Sequence, residues 1–550
     1  MRSIAAKLPS VAGRVSLGPL GKLDDAAFTI RVLAEAGVIR PVRPDRFARA
    51  ARELLRRGAS PAAGVATAAI THPHEPALLD EAGALTFSHL HRRSNALARG
   101  LRASGVREGD GIAIMCRNHR GFLEATLACS KLGAHGLYLN TAFAGPQLVE
   151  VTEREEPAAL IYDQEFTELL AEAGRDVWRF VAWTEEEETG DPSLEELIGS
   201  HGDADLDAPE ESSRFVILTS GTTGTPKGAQ RGQPDTLAPL AALLSIIPLR
   251  ARESTMIAAP LFHSWGFAHF ILGLALNTTF VLRRRFDPEE TLRAVASSGA
   301  TGLVVVPVMM QRILELPAEV IARYDLSGLR ITAASGSALP GELAVEWMDT
   351  FGDNLYNLYG STEVAWATIA TPDDLRAAPG TAGRAPRGTV LRIVDHDGRD
   401  VPPGRTGRVF VGNEMTFEGY TGGGAKEELG GLMSSGDVGH FDPAGRLFID
   451  GRDDEMIVSG GENVFPREVE DLLAAHDSIL EVAVIGVPDE DYGQRLKAFV
   501  VAHPDHDLSE DEVKDHVKVN LARFKVPREV EFLDSLPRNA TGKVLKRELA

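Results

Sequence analysis

The chain has 550 residues, of which 43% are hydrophobic and 25% are charged, a composition typical of a folded globular protein rather than a disordered or fibrous one. Its 79 acidic and 57 basic residues give a net charge of −22, which argues against a nucleic-acid binder because such proteins need a basic surface. The two cysteines, Cys116 and Cys129, are too few for a disulfide framework or a cysteine-rich zinc site, and a cytoplasmic location fits them.

The first seventy residues form a basic extension. Residues 1–60 contain twelve Lys/Arg and five Asp/Glu, which leaves a net charge of −29 on the remainder. Four apolar residues stand at helical spacing between arginines: Phe47, Ala51, Leu54 and Leu55. This pattern predicts a basic amphipathic helix that ends near Gly58. The helix either lies peripherally on an anionic membrane, at its inner face, or packs on the body of the protein, and the pattern leaves both readings open.

From Ala77 onward, short apolar runs alternate with helical patterns. The runs lie at residues 111–115, 136–139, 215–218, 255–258, 303–306 and 329–332. Strands separated by helices indicate parallel sheets with crossover helices. We therefore predict an α/β fold for a large domain at residues 71–451.

The pattern of apolar runs and turns changes near residue 390. Apolar runs at 390–394 and 407–411 stand between turns rich in Gly, Asp and Pro, which predicts a small antiparallel β unit. After a charged hinge at 452–455, residues 456–550 repeat a compact α+β pattern. They are expected to form a second, smaller domain.

The strongest local motif is L-T-S-G-T-T-G-T-P-K-G at residues 218–228. It supplies glycines, hydroxyls and a lysine: Thr219, Ser220, Gly221, Thr222, Thr223, Gly224 and Lys227. Glycines let backbone N–H groups converge on an anion, and hydroxyls and a lysine add donors and charge, so a phosphate ligand is expected. The motif differs from a Walker P-loop, because Pro226 precedes the lysine and Gly228 follows it.

Residues 218–228 resemble the nucleotide loop of the adenylate-forming superfamily, which includes acyl-CoA synthetases, adenylation domains and luciferases. Further stretches similar to that family's motifs follow in its order: residues 261–267, 359–363, 435–437, 451–466 and 537–543. By this resemblance the chain is identified as a member of the superfamily, in the acyl-CoA synthetase or fatty-acid–CoA ligase branch.

The resemblance implies a two-step reaction. A carboxylate attacks the α-phosphorus of ATP to give an acyl-adenylate and pyrophosphate, and the thiol of coenzyme A then takes the acyl group and releases AMP. The phosphoryl chemistry needs charge neutralisation and alignment rather than covalent help from the protein. The expected co-substrates are therefore ATP and coenzyme A, with Mg²⁺ as the metal ion.

The resemblance also assigns residues to the nucleotide. Tyr359 is expected to stack on adenine, with Gly336, Ser337 and Ala338 on the other side of the base. Asp437 is expected to accept the ribose hydroxyls, and Arg452 to contact ribose or phosphate. The residues after the tyrosine belong to the same motif: Gly360, Ser361, Thr362 and Glu363. Glu363 is the expected Mg²⁺ ligand, with Thr222 a weaker one.

Residues in three further regions are expected to act in the change from adenylation to thioester formation. Lys543 is expected to lie between the carboxylate and the α-phosphate, so the small C-terminal domain that carries it must be mobile. Asp454 is the implied hinge residue. Ser459, Gly460 and Gly461 would line the coenzyme A tunnel, where glycines permit close passage of a narrow thiol arm.

The implied acyl pocket lies around residues 261–267. Its expected members are His263, Trp265, Gly266, Phe267 and Val308. His263 would orient the substrate carboxylate, although core packing is an alternative for both His263 and Phe267. No acidic residue stands beside His263 to bind an amino group, so an apolar acid, foremost a fatty acid, is favoured over an amino acid.

Other functions remain open at this stage. The acyl group could pass to the phosphopantetheine of a carrier protein, a luciferase-like oxygenase would share the motifs, and a non-catalytic nucleotide-binding or membrane-associated protein is a further alternative. The sequence leaves a homodimer open and predicts no nucleic-acid partner.

Overall fold

The computed structural model divides into two compact units. Of the described residues, the larger unit comprises those within 19–334 and 414–420, and the smaller unit comprises those within 335–413 and 426–549. The residues that the structure describes are 19–174, 177–185, 190–219, 227–231, 236–415, 417–420, 426–455, 457–459, 462–489, 493–504, 506, 508–539 and 542–549.

One sheet of the larger unit has the strand order β12-β11-β9-β10-β1-β2. Its strands are β1 (Pro76–Asp80), β2 (Gly83–Thr86), β9 (Ser254–Ile257), β10 (Thr279–Val281), β11 (Gly302–Val305) and β12 (Ile331–Ala334). All of these pairs are parallel except β1 with β2. Strand β12 begins at Ile331, two residues later than the start of the predicted run at 329–332.

The second sheet of this unit has the order β17-β8-β7-β4-β3-β5-β6. Its strands are β3 (Gly111–Met115), β4 (His135–Tyr138), β5 (Ala159–Asp163), β6 (Trp178–Trp183), β7 (Phe215–Thr219), β8 (Lys227–Arg231) and β17 (Phe417–Tyr420). The five strands from β7 to β6 are parallel. Parallel, apolar strands joined through helices confirm the predicted α/β class.

The first three helices of the larger unit precede β1, and the others lie between its strands. They are α1 (Pro19–Glu35), α2 (Pro44–Arg57), α3 (Pro61–Thr71), α4 (Phe87–Ala103), α5 (Arg120–Leu132), α6 (Gly145–Glu155), α7 (Leu194–Ser200), α8 (Ala238–Leu244), α9 (Ser264–Leu276), α10 (Pro288–Ser298), α11 (Pro307–Leu314) and α12 (Ala318–Ile321). Local chemistry fixes several ends. Asp287 Oδ1, for example, accepts the Glu290 amide at 2.8 Å and caps α10.

The smaller unit contains two five-stranded sheets and the antiparallel pair β13 (Leu355–Tyr359) and β14 (Thr368–Ala370). The first sheet comprises β15 (Val390–Val394), β16 (Gly407–Gly412), β18 (Glu428–Leu429), β19 (Leu432–Phe441) and β20 (Leu447–Arg452). These strands pair antiparallel throughout, as the runs at 390–394 and 407–411 predicted.

The second sheet of the smaller unit follows. Its strands are β21 (Ile457–Ser459), β22 (Glu462–Val464), β23 (Ile479–Asp489), β24 (Gly493–Ala502) and β25 (Glu529–Phe532). The helices of the unit are α13 (Gly341–Phe351), α14 (Pro372–Ala377), α15 (Pro466–Ala474) and α16 (Glu510–Asn520). Leu473 of α15 and Val517 of α16 are buried in one apolar core with Leu496 and Val500 of β24. The predicted domain boundaries at 70, 451 and 455 stay a prediction.

No helix among the described residues combines the length and the apolar character that crossing a bilayer requires.

Candidate active site

Asp437 is held by two neighbours in the smaller unit. The pairing of β19 with β20 sets it opposite Arg452, whose Nη1 donates to Asp437 Oδ1 at 3.1 Å. The Tyr359 hydroxyl donates to the other oxygen, Oδ2, at 2.5 Å. Burial raises the pKa of the Asp437 carboxyl, and the charge of Arg452 and the bond from Tyr359 oppose that rise. The carboxylate is thereby fixed in orientation, and each oxygen retains a further lone pair for a ligand hydroxyl.

Tyr359 ends strand β13 and reaches this cluster through its hydroxyl. Burial raises the pKa of the Tyr359 phenol well above its usual value, and the adjacent Asp437 charge raises it further. The hydroxyl therefore stays protonated and acts as a donor at neutral pH. Because the two side chains touch, the structure brings together the residues that the sequence assigned separately to adenine and to ribose.

The turn after Tyr359 orients Glu363. The Ser361 hydroxyl accepts the amides of Glu363 and Val364 at 3.2 and 3.3 Å and donates to Glu363 Oε2 at 2.8 Å. Gly360 has no room for a side chain, because a Cβ would lie 2.1 Å from the Ala365 carbonyl oxygen. A half-buried carboxylate fixed in this way fits the hard oxygen ligand that Mg²⁺ requires.

Asn413 supports the same turn and was not found by the sequence analysis. Its Nδ2 donates to the carbonyl oxygens of Val364 and Trp366 at 2.8 and 2.9 Å. A lone asparagine after a strand carries no signal for such a role, because the contact is made across many residues of sequence. Gly336, Ser337 and Ala338 lie in a partly exposed loop of the same unit, in which the φ of +95° at Gly336 favours glycine.

Lys543 is presented by a short turn near the end of the chain. Its amide donates to Asn539 Oδ1 at 2.9 Å, and its carbonyl accepts the Asn539 amide at 2.9 Å. The side chain is exposed, and its positive charge adds to the influences that oppose the burial-driven rise in the pKa of the Asp437 carboxyl. Lys543 thus lies within electrostatic range of the cluster formed by Tyr359, Asp437 and Arg452.

Asp454 lies in a single 3₁₀ turn at Asp453–Glu455, and two ion pairs flank it. Arg408 Nε donates to Asp453 Oδ2 at 2.8 Å. On the other side, Lys546 Nζ contacts Glu455 Oε2 at 3.3 Å and also Glu470 Oε1 at 2.8 Å. The sequence analysis missed Arg408 and Lys546, since a charge pattern does not reveal its partners.

The nucleotide loop is described only at its two ends. Thr219 ends β7 and Lys227 begins β8, and the two are paired in register. The intervening Ser220, Gly221, Thr222, Thr223 and Gly224 lie outside the described residues. Ser459 ends β21 opposite Glu462 of β22, whereas Gly460 and Gly461 also lie outside the described residues.

The predicted acyl segment forms the start of helix α9 in the larger unit. His263 is the residue before the helix, and burial lowers the pKa of its ring to about 4, so the imidazole is neutral at physiological pH. Trp265 Nε1 donates to the Val305 carbonyl at 3.1 Å. Gly266 allows the helix to approach the preceding chain, since a Cβ would lie 2.3 Å from the Pro260 carbonyl oxygen.

Phe267 lies in an aromatic cluster of the larger unit. Its ring centroid is 4.8 Å from that of Tyr138 and 5.5 Å from that of Phe215, and the side chain is buried. Phe267 is thus packed among aromatic rings, and its place in the acyl pocket stays a prediction. Val308 lies half-buried in the first turn of α11.

Two family descriptions match the chain. Residues 65–421 match "AMP-binding enzyme" and residues 468–543 match "AMP-binding enzyme C-terminal domain". The first match alone covers more than half of the sequence, so the chain belongs to the AMP-binding, adenylate-forming enzyme family.

Individual relatives indicate which class of enzyme within the family the chain is similar to. The chain is 34% identical to the indoleacetate–CoA ligase of Aromatoleum aromaticum, over 84% of this chain and 92% of the relative. It is 30% identical to the fatty acid–[acyl-carrier-protein] ligase ScoC of Streptomyces coeruleorubidus, over 87% and 93%. The solved anthranilate CoA ligase AuaEII in complex with anthranoyl-AMP has a TM-score of 0.79 at 25% identity, over 89% and 96%. The chain is an AMP-forming acid–CoA ligase that uses ATP and coenzyme A.

Proposed function

We propose that this ligase activates an apolar carboxylic acid, foremost a fatty acid, through an acyl-adenylate. The observation that carries the proposal is the cluster of Tyr359, Asp437 and Arg452, with the charge of Lys543 in electrostatic range of Asp437. A fixed double acceptor suits the ribose diol, and an exposed ammonium suits the two anions that approach each other during adenylation.

In the first step, the residues of this chain bind ATP, orient the two substrates and neutralise their negative charge. Asp437 accepts ribose hydroxyls, Tyr359 flanks the adenine, and Lys543 offsets the repulsion between the carboxylate and the α-phosphate. Glu363 would hold Mg²⁺, which supplies charge neutralisation on the phosphates when bound.

In the second step, the hinge at Asp454 would reorient the C-terminal lobe for attack by the thiol of coenzyme A. The flanking pairs Arg408–Asp453 and Lys546–Glu455 limit the freedom of the backbone on both sides of that residue. Replacing Asp454 by proline should preserve adenylation and reduce thioester formation, because proline fixes φ. Loss of adenylation by the same factor would contradict the hinge role.

The start of helix α9 favours an apolar acid. Trp265 and Phe267 bring aromatic surface to the start of α9, and the neutral His263 carries no charge that would select an ionic tail. The names of the compared proteins include both aromatic acids and a fatty acid. We therefore propose a fatty acid first, with an aryl acid as its direct competitor.

The test is a panel of acids from acetate to palmitate, with benzoate and indoleacetate, assayed for ATP–pyrophosphate exchange and for acyl-CoA. We expect exchange and thioester with the apolar members and the highest kcat/KM with a fatty acid. Preference for an aryl acid would contradict the proposed fatty-acid substrate but would leave the proposed reaction unchanged. Absence of exchange with every acid would refute acyl-adenylate formation by these residues.

A second candidate is transfer to a carrier protein, which the similarity to ScoC favours. The discriminating measurement offers coenzyme A and a phosphopantetheinylated carrier protein to the same acyl-adenylate. Faster transfer to the carrier would make coenzyme A the minor acceptor.

A further inference from the structure

Helix α2 carries its apolar face on the outside. Phe47, Leu54 and Leu55 are 65%, 49% and 89% exposed, whereas the residues buried in this helix are Ala50 and Arg57. An amphipathic helix that merely covers a core has the opposite arrangement. The body of the larger unit therefore does not explain the apolar side of α2.

Polar contacts hold the helix in this orientation. The buried Arg57 donates to Glu53 Oε2 at 2.9 Å and to the carbonyl of Leu206. Arg46 Nη1 donates to the Thr71 carbonyl at 2.8 Å. Rotation of the helix to bury its apolar face would break these bonds and leave the Arg57 charge without its partners, which is costly.

The exposed surface of α2 has an apolar side and a basic side. With 3.6 residues per turn, Phe47, Leu54 and Leu55 share one stripe. The same period places three arginines on the polar side of the helix, away from Phe47 and Leu54: Arg49, Arg52 and Arg56. A helix with an apolar stripe and arginines on its polar side is suited to lie in the interface of an anionic bilayer, whose headgroups are negatively charged and whose interior is apolar.

The charge of α2 disfavours a second copy of the chain as the partner of this face. Of the ten large apolar side chains exposed among the described residues, five lie between Ile30 and Leu55, and the others are scattered at Trp178, Leu237, Val390, Val519 and Phe532. A second copy would offer the same stripe in a two-fold pairing, but α2 carries five arginines against Asp45 and Glu53, so pairing two such helices would bring like charges together. The remainder of the chain, at −29, is repelled by anionic lipid, so attachment would be confined to the basic segment.

We propose that α2 docks on an anionic lipid surface, with its apolar stripe of Phe47, Ala51, Leu54 and Leu55 inserted and the arginines of its polar side contacting headgroups. The whole of α2 precedes the family match that begins at residue 65. The docking face is therefore independent of the residues proposed for adenylation, and the inference does not depend on which acid is the substrate.

The test is co-sedimentation of the full chain with phosphatidylcholine vesicles and with mixed phosphatidylcholine–phosphatidylglycerol vesicles. We expect binding only to the mixed vesicles, weakening as salt is raised. The double variant Phe47→Ser/Leu55→Ser should bind at least about tenfold more weakly. Val519→Ser, which alters a side chain 82% exposed in α16, is the matched control and should bind like the wild type.

A second variant tests the charge. Arg49→Gln/Arg52→Gln/Arg56→Gln should lose the preference for phosphatidylglycerol, and both multiple variants should keep the ATP–pyrophosphate exchange of the wild type. Equal binding of the wild type and the Phe47→Ser/Leu55→Ser variant would overturn the proposal, as would failure of the full chain to bind mixed vesicles. Binding lost only on deletion of residues 1–18 would assign attachment to that segment instead. Self-association abolished by the double variant, without vesicle binding, would identify a second copy as the partner.

Discussion

The polar cluster around Asp437 and the apolar start of helix α9 represent two ways of building a site. In the cluster, strand pairing and two hydrogen bonds fix one carboxylate. In α9, Phe267 is positioned by packing, in which apolar side chains of similar volume can replace one another. The difference explains why the motifs of this chain indicate nucleotide chemistry clearly but leave the acid open.

The largest effect on activity is expected from removing the positive charge of Lys543, which lies within electrostatic range of the cluster. Lys543→Ala should lower the rate of adenylation by about 10²–10³-fold, because the repulsion between the carboxylate and the phosphate is no longer offset. Thioester formation from preformed acyl-adenylate should change far less. Lys518→Ala, at an exposed lysine of α16, is the control in both assays. Equal losses in the two half-reactions would show that Lys543 serves the fold or both steps.

The packing side of the comparison is tested by Gly266→Ala. A Cβ at residue 266 meets backbone 2.3 Å away, so α9 must shift, and we expect a loss of about 1–3 kcal/mol in the free energy of unfolding. Gly199→Ala in α7 is the matched control, since nothing lies within 4 Å of its added Cβ. That control should gain about 0.5–1 kcal/mol. Denaturant unfolding measures both, and an unchanged midpoint for Gly266→Ala would contradict the close approach.

The electrostatic side is tested by Arg452→Leu. The charge of Arg452 lowers the pKa of Asp437 against the effect of burial, so its removal should raise that pKa. Because the ionised carboxylate is the form proposed to bind ribose, the acidic limb of kcat/KM for ATP should move to higher pH. The KM for ATP should rise about tenfold at neutral pH. If the acidic limb of the kcat/KM profile stayed at the same pH in Arg452→Leu, ionisation of Asp437 would not control ATP binding. The exposed Arg399, changed to Leu, is the control.

The smallest effect is expected at His263. Burial already holds its pKa at about 4, so the ring stays neutral between pH 6 and 8 and should add no step to the pH profile. His263→Gln should lower kcat/KM for the acid by roughly three- to tenfold through a lost hydrogen bond, with the KM for ATP unchanged. A new or lost titration step near pH 6.5 would show that the ring ionises in the working enzyme.

The interactions around the motifs were less predictable than the motifs themselves. Tyr359 and Asp437 stand in separate stretches of sequence, and their 2.5 Å contact depends on how two sheets pack. Asn413 and Lys546 stabilise neighbouring turns but resemble ordinary surface residues in the sequence. Strand β12 starts two residues late because its ends are set by pairing with β11, which a run of apolar residues does not encode.

The sequence alone determined the alternation of strands and helices and the family chemistry, because periodicity and spaced Gly, Thr, Glu, Asp and Lys residues are local properties. It also predicted that α2 is amphipathic. Only the tertiary structure decided that this helix presents Phe47 and Leu55 outward while Arg57 is buried against Leu206. The reason is that orientation depends on which buried hydrogen bonds distant segments can complete, and no local pattern specifies those partners.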